Sequence, residues 1–542
     1  MGCTAADYRD DADRETYGIL AAASEQVTGA PREFSVERPV DRLRRRLEVS
    51  PAPVTLSLGD ALNVAAENSR DFQRQKEILY QTALALTLQR FNFANRFGAL
   101  VSSDVSGEGD EVASLALRDD LTASRNLETG GRIVASFVTT FLKDLIRNGS
   151  FNGASILGLT FTQPLLQGAG RRIAREPLNQ AERDVIYAMR TYERFRGTFA
   201  VSIVSQYYRV LQQVDNLESE RQNLVGAQTN RERTEALVEA GQLAGVDLDR
   251  ASQQEFDARD RLNNANARLQ SVLDGFKLSL GLPTDCQLTL DQSELNTLRE
   301  GEVADVPLAE AVAIELALAR RLDYRNAVDE VQDNARRVRV TENALDSILD
   351  FSAAIDVPTD PGAPLDFDWS RVGWSAGFDL DLALQRLPER NTYRRSLIAL
   401  NFALRNREEF EDAVKADVRE ALRDVRRTFN SFRIQSDALG LSERRLERAN
   451  DFLLAGRGNT LALLDAQEDL LLSRLAWTGA IVDYAVAKLE LLRDLEGLVL
   501  ADRGLRYDPS LPLPEGPLTP YGVDIPAAAV DYAGLTANGA TP

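Results

Sequence analysis

Gly158-Leu159-Thr160-Phe161-Thr162-Gln163-Pro164-Leu165-Leu166-Gln167-Gly168-Ala169-Gly170-Arg171-Arg172 changes character twice along its length. At its start Leu159 and Phe161 alternate with Thr160 and Thr162, the period of two that marks a strand with one polar face. Pro164 suits a strand end and not the middle of a central strand. Gly168 and Gly170 then free the backbone for a sharp redirection. Beyond Pro177, which a helix tolerates in its first turn, apolar residues recur every three to four positions: Ile203, Tyr207, Val210, Val214 and Leu217. The stretch therefore predicts a strand that passes almost directly into a very long helix.

Downstream, the helical pattern runs from Pro177 to about Ala240, roughly 95 Å at 1.5 Å per residue. Gly241-Gln242-Leu243-Ala244-Gly245 breaks it, a second helix covers Val246 to about Leu280, and Gly281-Leu282-Pro283 stops it. Together these form a long antiparallel αα-hairpin. Upstream, residues 94–165 hold the β-prone runs Ala99–Val101, Ile133–Val138 and Ile156–Thr162, with Gly107–Asp110 and Arg147–Gly153 as loops. Earlier still, Ala61, Leu62, Ala65, Ala66, Ile78, Leu79, Leu84 and Leu86 predict a helix from Leu56 to about Phe93. Residues 1–50 are charged and weakly patterned, and the basic run Arg42–Arg46 reads as a solvated stretch.

The order then repeats. A helix is expected over Leu308–Ala344, strands at Phe351–Val357 and Val372–Leu384, a long helix over Asn391–Leu454, a break at Gly456 and Gly458, and a last helix from Leu461 to Leu500. Gly158–Phe161 corresponds to Gly377–Leu380 with an offset of 219, and Gly241 and Ala251 correspond to Gly456 and Ala466 with an offset of 215. The chain divides into an N-terminal extension (1–55), a first repeat (56–300, strands about 94–165, hairpin about 177–280), a second repeat (301–502, strands about 350–385, hairpin about 391–500) and a Pro-, Gly- and Ala-rich tail (503–542). The fold class is an α+β membrane protein, a duplicated helix–strand–strand–long αα-hairpin. Each half holds too few strands to close a barrel, and an open edge cannot face lipid, so if the strands cross a membrane several copies must share one barrel.

Composition narrows the function. The 542 residues carry a net charge of −20, which disfavours nucleic acid as a partner. There is no histidine, so the commonest general base and zinc ligand are missing, and two cysteines make no metal cage. No catalytic residue, metal site or cofactor is expected. No run approaches the roughly 20 apolar residues of a spanning helix, which leaves a closed barrel as the membrane-spanning alternative. Met1-Gly2-Cys3-Thr4 lacks the basic and apolar regions of a signal peptide, yet Gly-Cys before a polar stretch looks like a bacterial lipoprotein processing site. Cys3 is thus either a lipidation site, with the signal upstream or removed, or an ordinary thiol. Gly168-Ala169-Gly170 between strand and helix also matches part of a dinucleotide-binding turn, but Ile173 stands where the third glycine belongs and no βαβ unit follows.

Residues 163–172 resemble the segment where TolC-family outer-membrane efflux proteins leave the barrel for the long helix. Gly241…Ala251 and Gly456…Asp465-Ala466-Gln467 resemble that family's periplasmic hairpin tips. The resemblance spans roughly Leu56–Leu500. It implies a homotrimer with a twelve-stranded β-barrel in outer-membrane lipid, continuing into an α-helical periplasmic barrel. It also implies a periplasmic adaptor and an inner-membrane pump as partners, and a role as a passive export duct. The alternative is a soluble periplasmic coiled-coil scaffold. The family closes its tunnel at the tips, often with acidic rings. Asp465 stands in the matching Leu-Asp-Ala motif and Asp247 at the acidic position of the first tip, with Asp249 beside it; Ala462 replaces a further Asp common in the family. Arg457 and Arg250 are candidates to link neighbouring hairpins. The bland reading of these acids is that they cap or decorate helix starts. Tyr207, Tyr208, Phe429 and Phe432 read as packing between hairpins, and Trp369 and Trp374 as barrel-interface or junction residues.

Overall fold

The protein is described by a computed structural model over residues 4–50, 52–108, 112–144, 152–301, 305–382, 384–455 and 460–498. Two helices, α1 (Ala5–Thr28) and α2 (Leu43–Val49), precede a short strand, β1 (Val54–Leu56), and two helices, α3 (Leu58–Asn68) and α4 (Arg70–Phe93). Four strands follow: β2 (Arg96–Glu108), β3 (Val112–Asn126), β4 (Arg132–Asp144) and β5 (Asn152–Pro164). The turn α5 (Arg171–Ala174) leads into the hairpin of α6 (Glu176–Glu239) and α7 (Gly245–Ser279). The second half runs β6 (Leu288–Leu290), α8 (Ser293–Glu300), α9 (Glu310–Arg320), α10 (Leu322–Asn343), β7 (Ile348–Pro358), β8 (Gly373–Asp381), α11 (Leu387–Leu454) and α12 (Thr460–Asp494).

Both long hairpins lie where the periodicity predicts them, with α12 ending six residues before the expected Leu500. Small residues make their close approach possible. Ala251, Ala258 and Ala265 recur at heptad spacing along α7 and are buried against α6, where Ala227 and Thr234 are buried in turn. The helix expected over Leu56–Phe93 is interrupted at Ser69, whose hydroxyl caps α4 by accepting from the Phe72 amide. Its counterpart is interrupted at Arg321. Charged residues 1–50 are more ordered than their pattern suggests. Thr4 and Asp7 form a capping box at the start of α1, and Ile19, Leu20 and Ala23 pack against Leu79, Ala83, Leu86, Val185 and Met189 of α4 and α6. Within the basic run, Arg44 donates to the Gly281 carbonyl and pairs with Glu48 on α2 rather than standing free in solvent.

The strand section differs most from expectation. The first half carries four strands and the second two, and all six form one antiparallel sheet in the order β2-β3-β4-β5-β7-β8. Two strands per half, as a twelve-stranded trimer requires, is therefore corrected to four plus two. The unread strand is β3. Its alternation, Leu115, Leu117, Leu121 and Ala123 on one face, is broken by Asp119 on that same face. Between the hairpins, β1 pairs in parallel with β6, and buried Tyr207 donates to the Leu56 and Asp291 carbonyls. Among the described residues only α12 is long and apolar enough to cross a bilayer, and 56% of its apolar window is already buried in the fold.

Candidate functional site

The sheet has one mainly apolar and one mainly polar face. Because successive side chains alternate, the registers set which residues share a face. One face carries Phe97, Val101 and Val105 on β2, Leu115, Leu117 and Leu121 on β3, and Ile133, Phe137 and Phe141 on β4. It continues through Leu157, Leu159 and Phe161 on β5, Phe351 and Ile355 on β7, and Trp374, Phe378 and Leu380 on β8. Much of it lies open, with Phe97, Trp374 and Phe378 at 82%, 79% and 68% exposure. The other face carries Ser102, Asp104, Arg118, Asp120, Thr140, Thr160, Asp350, Asp356, Asp379 and Asp381. Asp350 stands directly opposite Asp379, a like-charge pair that water tolerates and a packed core does not. An open apolar face backed by a polar one is the pattern of a lipid-facing barrel wall with an aqueous interior. Trp374 lies on the apolar face at the end of β8 remote from the helices, and Trp369 in the loop before it.

At the other end of the sheet, the strand-to-helix exit is built as the opening stretch predicts. Pro164 ends β5, and Gly168 (φ +77°) and Gly170 (φ +90°) take left-handed conformations that other residues avoid. The Gly168 amide donates to Asn343 Oδ1 at 2.8 Å, and Asn343 Nδ2 donates back to the Leu166 carbonyl. The turn between β3 and β4 closes on the same place. The Gly170 amide donates to the Thr129 carbonyl, Thr129 Oγ1 to Gln163 Oε1 at 2.8 Å, and Arg171 pairs with Glu128. Sequence reasoning missed Glu128, Thr129 and Asn343. The turn signal Thr129-Gly130-Gly131 was available, but β3 on its near side had gone unread.

Below the exit, charged groups join the two halves. Arg183 lies 2.6 Å from Asp333, Arg190 2.6 Å from Asp329, and Arg336 2.9 Å from Glu176, all between α6 and α10. Arg190, Asp329 and Asp333 are buried. The Tyr187 hydroxyl donates to Asp333 at 2.7 Å, and burial together with that carboxylate holds its pKa far above the ordinary tyrosine value. Lower down, Tyr207 and Tyr208 are core residues and Phe429 packs on Tyr484, all between helices.

At the first hairpin tip Gly241 (φ +71°) caps α6, its amide donating to the Val238 carbonyl and that of Gln242 to the Leu237 carbonyl. Gly245 starts α7. Asp247 lies in the first turn of α7, where a carboxylate meets the positive end of the helix dipole. Arg250 lies 3.7 Å from Asp247, one turn away on the same helix. Asp249 is exposed. At the second tip Asp465 is exposed between buried Leu464 and Ala466. Gly456, Arg457 and Gly458 lie outside the described residues, as do Cys3 and the tail from 503.

These features recur in known proteins. Residues 124–282 match the family model of the outer membrane efflux protein. The fold is similar to the CmeC outer membrane channel of Campylobacter jejuni (TM-score 0.59, 13% identity, 81% of this chain and 85% of that one). It is also similar to the outer membrane protein VceC of Vibrio cholerae (0.59, 14%, 81% and 96%) and to the open state of the MtrE outer membrane channel of Neisseria gonorrhoeae (0.59, 13%, 81% and 89%). A search of curated protein sequences finds no match. Residues 124–282 thus carry the sequence pattern of the outer membrane efflux protein family, and the chain as a whole shares the fold of outer membrane channels.

Proposed function

We propose that the protein works as a homotrimeric, passive exit duct: the sheet lines the outer membrane, the hairpins reach into the periplasm, and an adaptor and an inner-membrane pump deliver cargo and supply the energy. The observation that carries this reading is the largely apolar face that extends across all six strands, interrupted at Asp119, Thr139 and Ser155. A soluble scaffold would have to leave that face in water, at about 25 cal/mol per Å² of apolar surface. Among the described residues neither sheet edge, β2 nor β8, has a further strand beside it, and edges inside a bilayer must be joined. Neighbouring copies satisfy both needs.

The anchor and the gate complete the proposal. Helix α1 runs antiparallel to α4: Arg14 and Gly18 lie near Arg90 and Asn179, whereas Thr28 lies near Gly197. Its first residues therefore point toward the barrel end of the molecule, where a lipid on Cys3 would meet the membrane. At the opposite end, three-fold symmetry would gather Asp247 and Asp465 near one axis, where like charges repel one another and attract cations. Asp249 would sit on the flank of the same ring, with Arg250 and Arg457 as counter-charges.

The test is to reconstitute the purified protein in planar bilayers and measure conductance with and without divalent cations. A discrete channel blocked by divalent cations is expected, with block relieved in Asp465→Ala and Asp247→Ala. Unchanged block in both variants removes the acidic gate. A detergent-independent soluble monomer removes the duct itself.

A further inference from the structure

A trimer whose chains give four strands each has twelve in its wall. This chain gives six, and the two that exceed that number, β3 and β4, are part of the wall in every respect. They lie between β2 and β5 in a continuous register from Arg96↔Ser124 to Leu142↔Asn152. Their outer residues, Leu115, Leu117, Leu121, Ile133, Phe137 and Phe141, extend the apolar face on either side of the opposed pair Asp119 and Thr139. Their lengths, 15 and 13 residues, exceed the roughly 9–11 that a tilted strand needs to span a bilayer. Their turn is bonded to the strand-to-helix exit through Thr129 and Glu128. The pair cannot leave the wall without breaking two strand ladders.

We propose that three copies close an eighteen-stranded barrel by pairing β8 of one chain with β2 of the next, so that the outer-membrane part of the duct is as wide as the helical ring below it. This rests on the trimer proposed above. Strand directions fit, because β2 leaves the helical end and β8 returns to it, which makes the seam antiparallel. The circumferences fit as well. Strands about 4.8 Å apart and tilted about 40° each take roughly 6 Å of wall, so eighteen give roughly 110 Å and twelve roughly 75 Å. Just below the sheet each chain presents four helices side by side, α4, α6, α10 and α11. Twelve helices at about 8–10 Å spacing make a ring of roughly 100–120 Å. The eighteen-stranded wall meets that ring without a neck. Selection by size then falls to the hairpin tips, not to the barrel.

The test uses the full chain in lipid nanodiscs and counts chains and strands by electron cryomicroscopy. Three chains and eighteen strands are expected. Three chains with twelve strands, the β3–β4 hairpin lying off the wall, overturns this inference and leaves the trimer standing. Two chains with twelve strands overturns the trimer as well. The seam has an independent readout. Across five strand spacings β2 and β8 of one chain are too far apart for a disulfide. With both native cysteines replaced (Cys3→Ser and Cys286→Ser), cysteines at Ala99, Val101 or Val105, each combined with Ala376→Cys, can therefore bond only between chains. At least one combination should give a covalent trimer on a non-reducing gel, and failure of all three removes the β8–β2 seam. Deleting Val112–Asp144, which leaves residues 109–111 and 145–151 as the turn, should lower the size limit for polymers entering from the outer side, since lumen area falls roughly twofold from eighteen strands to twelve. An assembled trimer with an unchanged limit counts against the wide barrel.

Discussion

The two hairpins are nearly equal and the two strand sections are not. α6 and α11 have 64 and 68 residues, and α7 and α12 have 35 each. Yet the first half has four strands in the large sheet and the second two. The difference follows from what each part must match. Helices standing side by side have to keep their tips and their exits level, so a change of length in one half must be repeated in the other. A barrel demands only that strands continue the ladder with the same face outward. An added hairpin of two strands does this at once, because it restores both strand direction and facing.

The largest expected effect tests the matched helices. If α6 and α10 are held level by their ion pairs, removing one buried partner leaves Arg190 uncompensated. Asp329→Ala should cost about 3–5 kcal/mol, seen as a lowered thermal midpoint of the assembled protein in detergent. A loss no larger than that of an exposed pair such as Arg209–Asp483 breaks the argument that charge holds the halves in register.

Next comes the inserted hairpin. Leu117 on β3 faces outward and its neighbour Ala116 inward. Leu117→Arg should cost about 2–4 kcal/mol near the middle of the bilayer, and Ala116→Arg close to nothing. Equal effects would mean that β3 is not in a lipid-facing wall. A smaller effect is expected where that hairpin meets the exit. Gly130 has φ +93°, and a Cβ there would lie 2.5 Å from the Gly168 carbonyl oxygen. Gly130→Ala should cost about 1–2 kcal/mol for its backbone alone, with more for the contact, and slow the assembly of the oligomer.

Much of this was legible beforehand. The exit could be read because Pro164, Gly168 and Gly170 are each demanded by a local conformation. The hairpins could be read because a seam tens of residues long repeats its signal many times. β3 could not be read, because a strand's signal is only a few residues long and Asp119 interrupts it on the apolar face. α1 was missed for a related reason. Its docking rests on Ile19, Leu20 and Ala23 within an otherwise charged stretch. At the tips, sequence located Asp247 and Asp465 but could not choose between gate and cap. Arg250 pairs with Asp247 one turn away on its own helix, which leaves open a further contact across to a neighbouring hairpin.

The smallest predicted effect comes from the place where the two second helices end. Both close with the same pair of hydrogen bonds: the Leu282 amide donates to the Lys277 carbonyl after α7, and the Gly497 amide to the Leu492 carbonyl after α12. The left-handed position is Gly281 in the first half, where a Cβ would lie 2.2 Å from the Asn68 carbonyl oxygen, and Glu496 (φ +48°) in the second. Glu496 accepts strain that glycine would not, and its carboxylate lies 2.7 Å from Arg194 on α6. Burial raises its pKa above the ordinary 4.5, with Arg194 opposing the shift. The folded protein therefore keeps a proton that the unfolded chain has already lost, and stability declines as pH rises from 4.5 through the raised value. Glu496→Gln removes the titration, so the thermal midpoint of the variant should be flatter with pH just above 4.5 than that of the wild type. Identical slopes would show that the second-half terminus is an ordinary helix end, differing from its partner in sequence but not in chemistry.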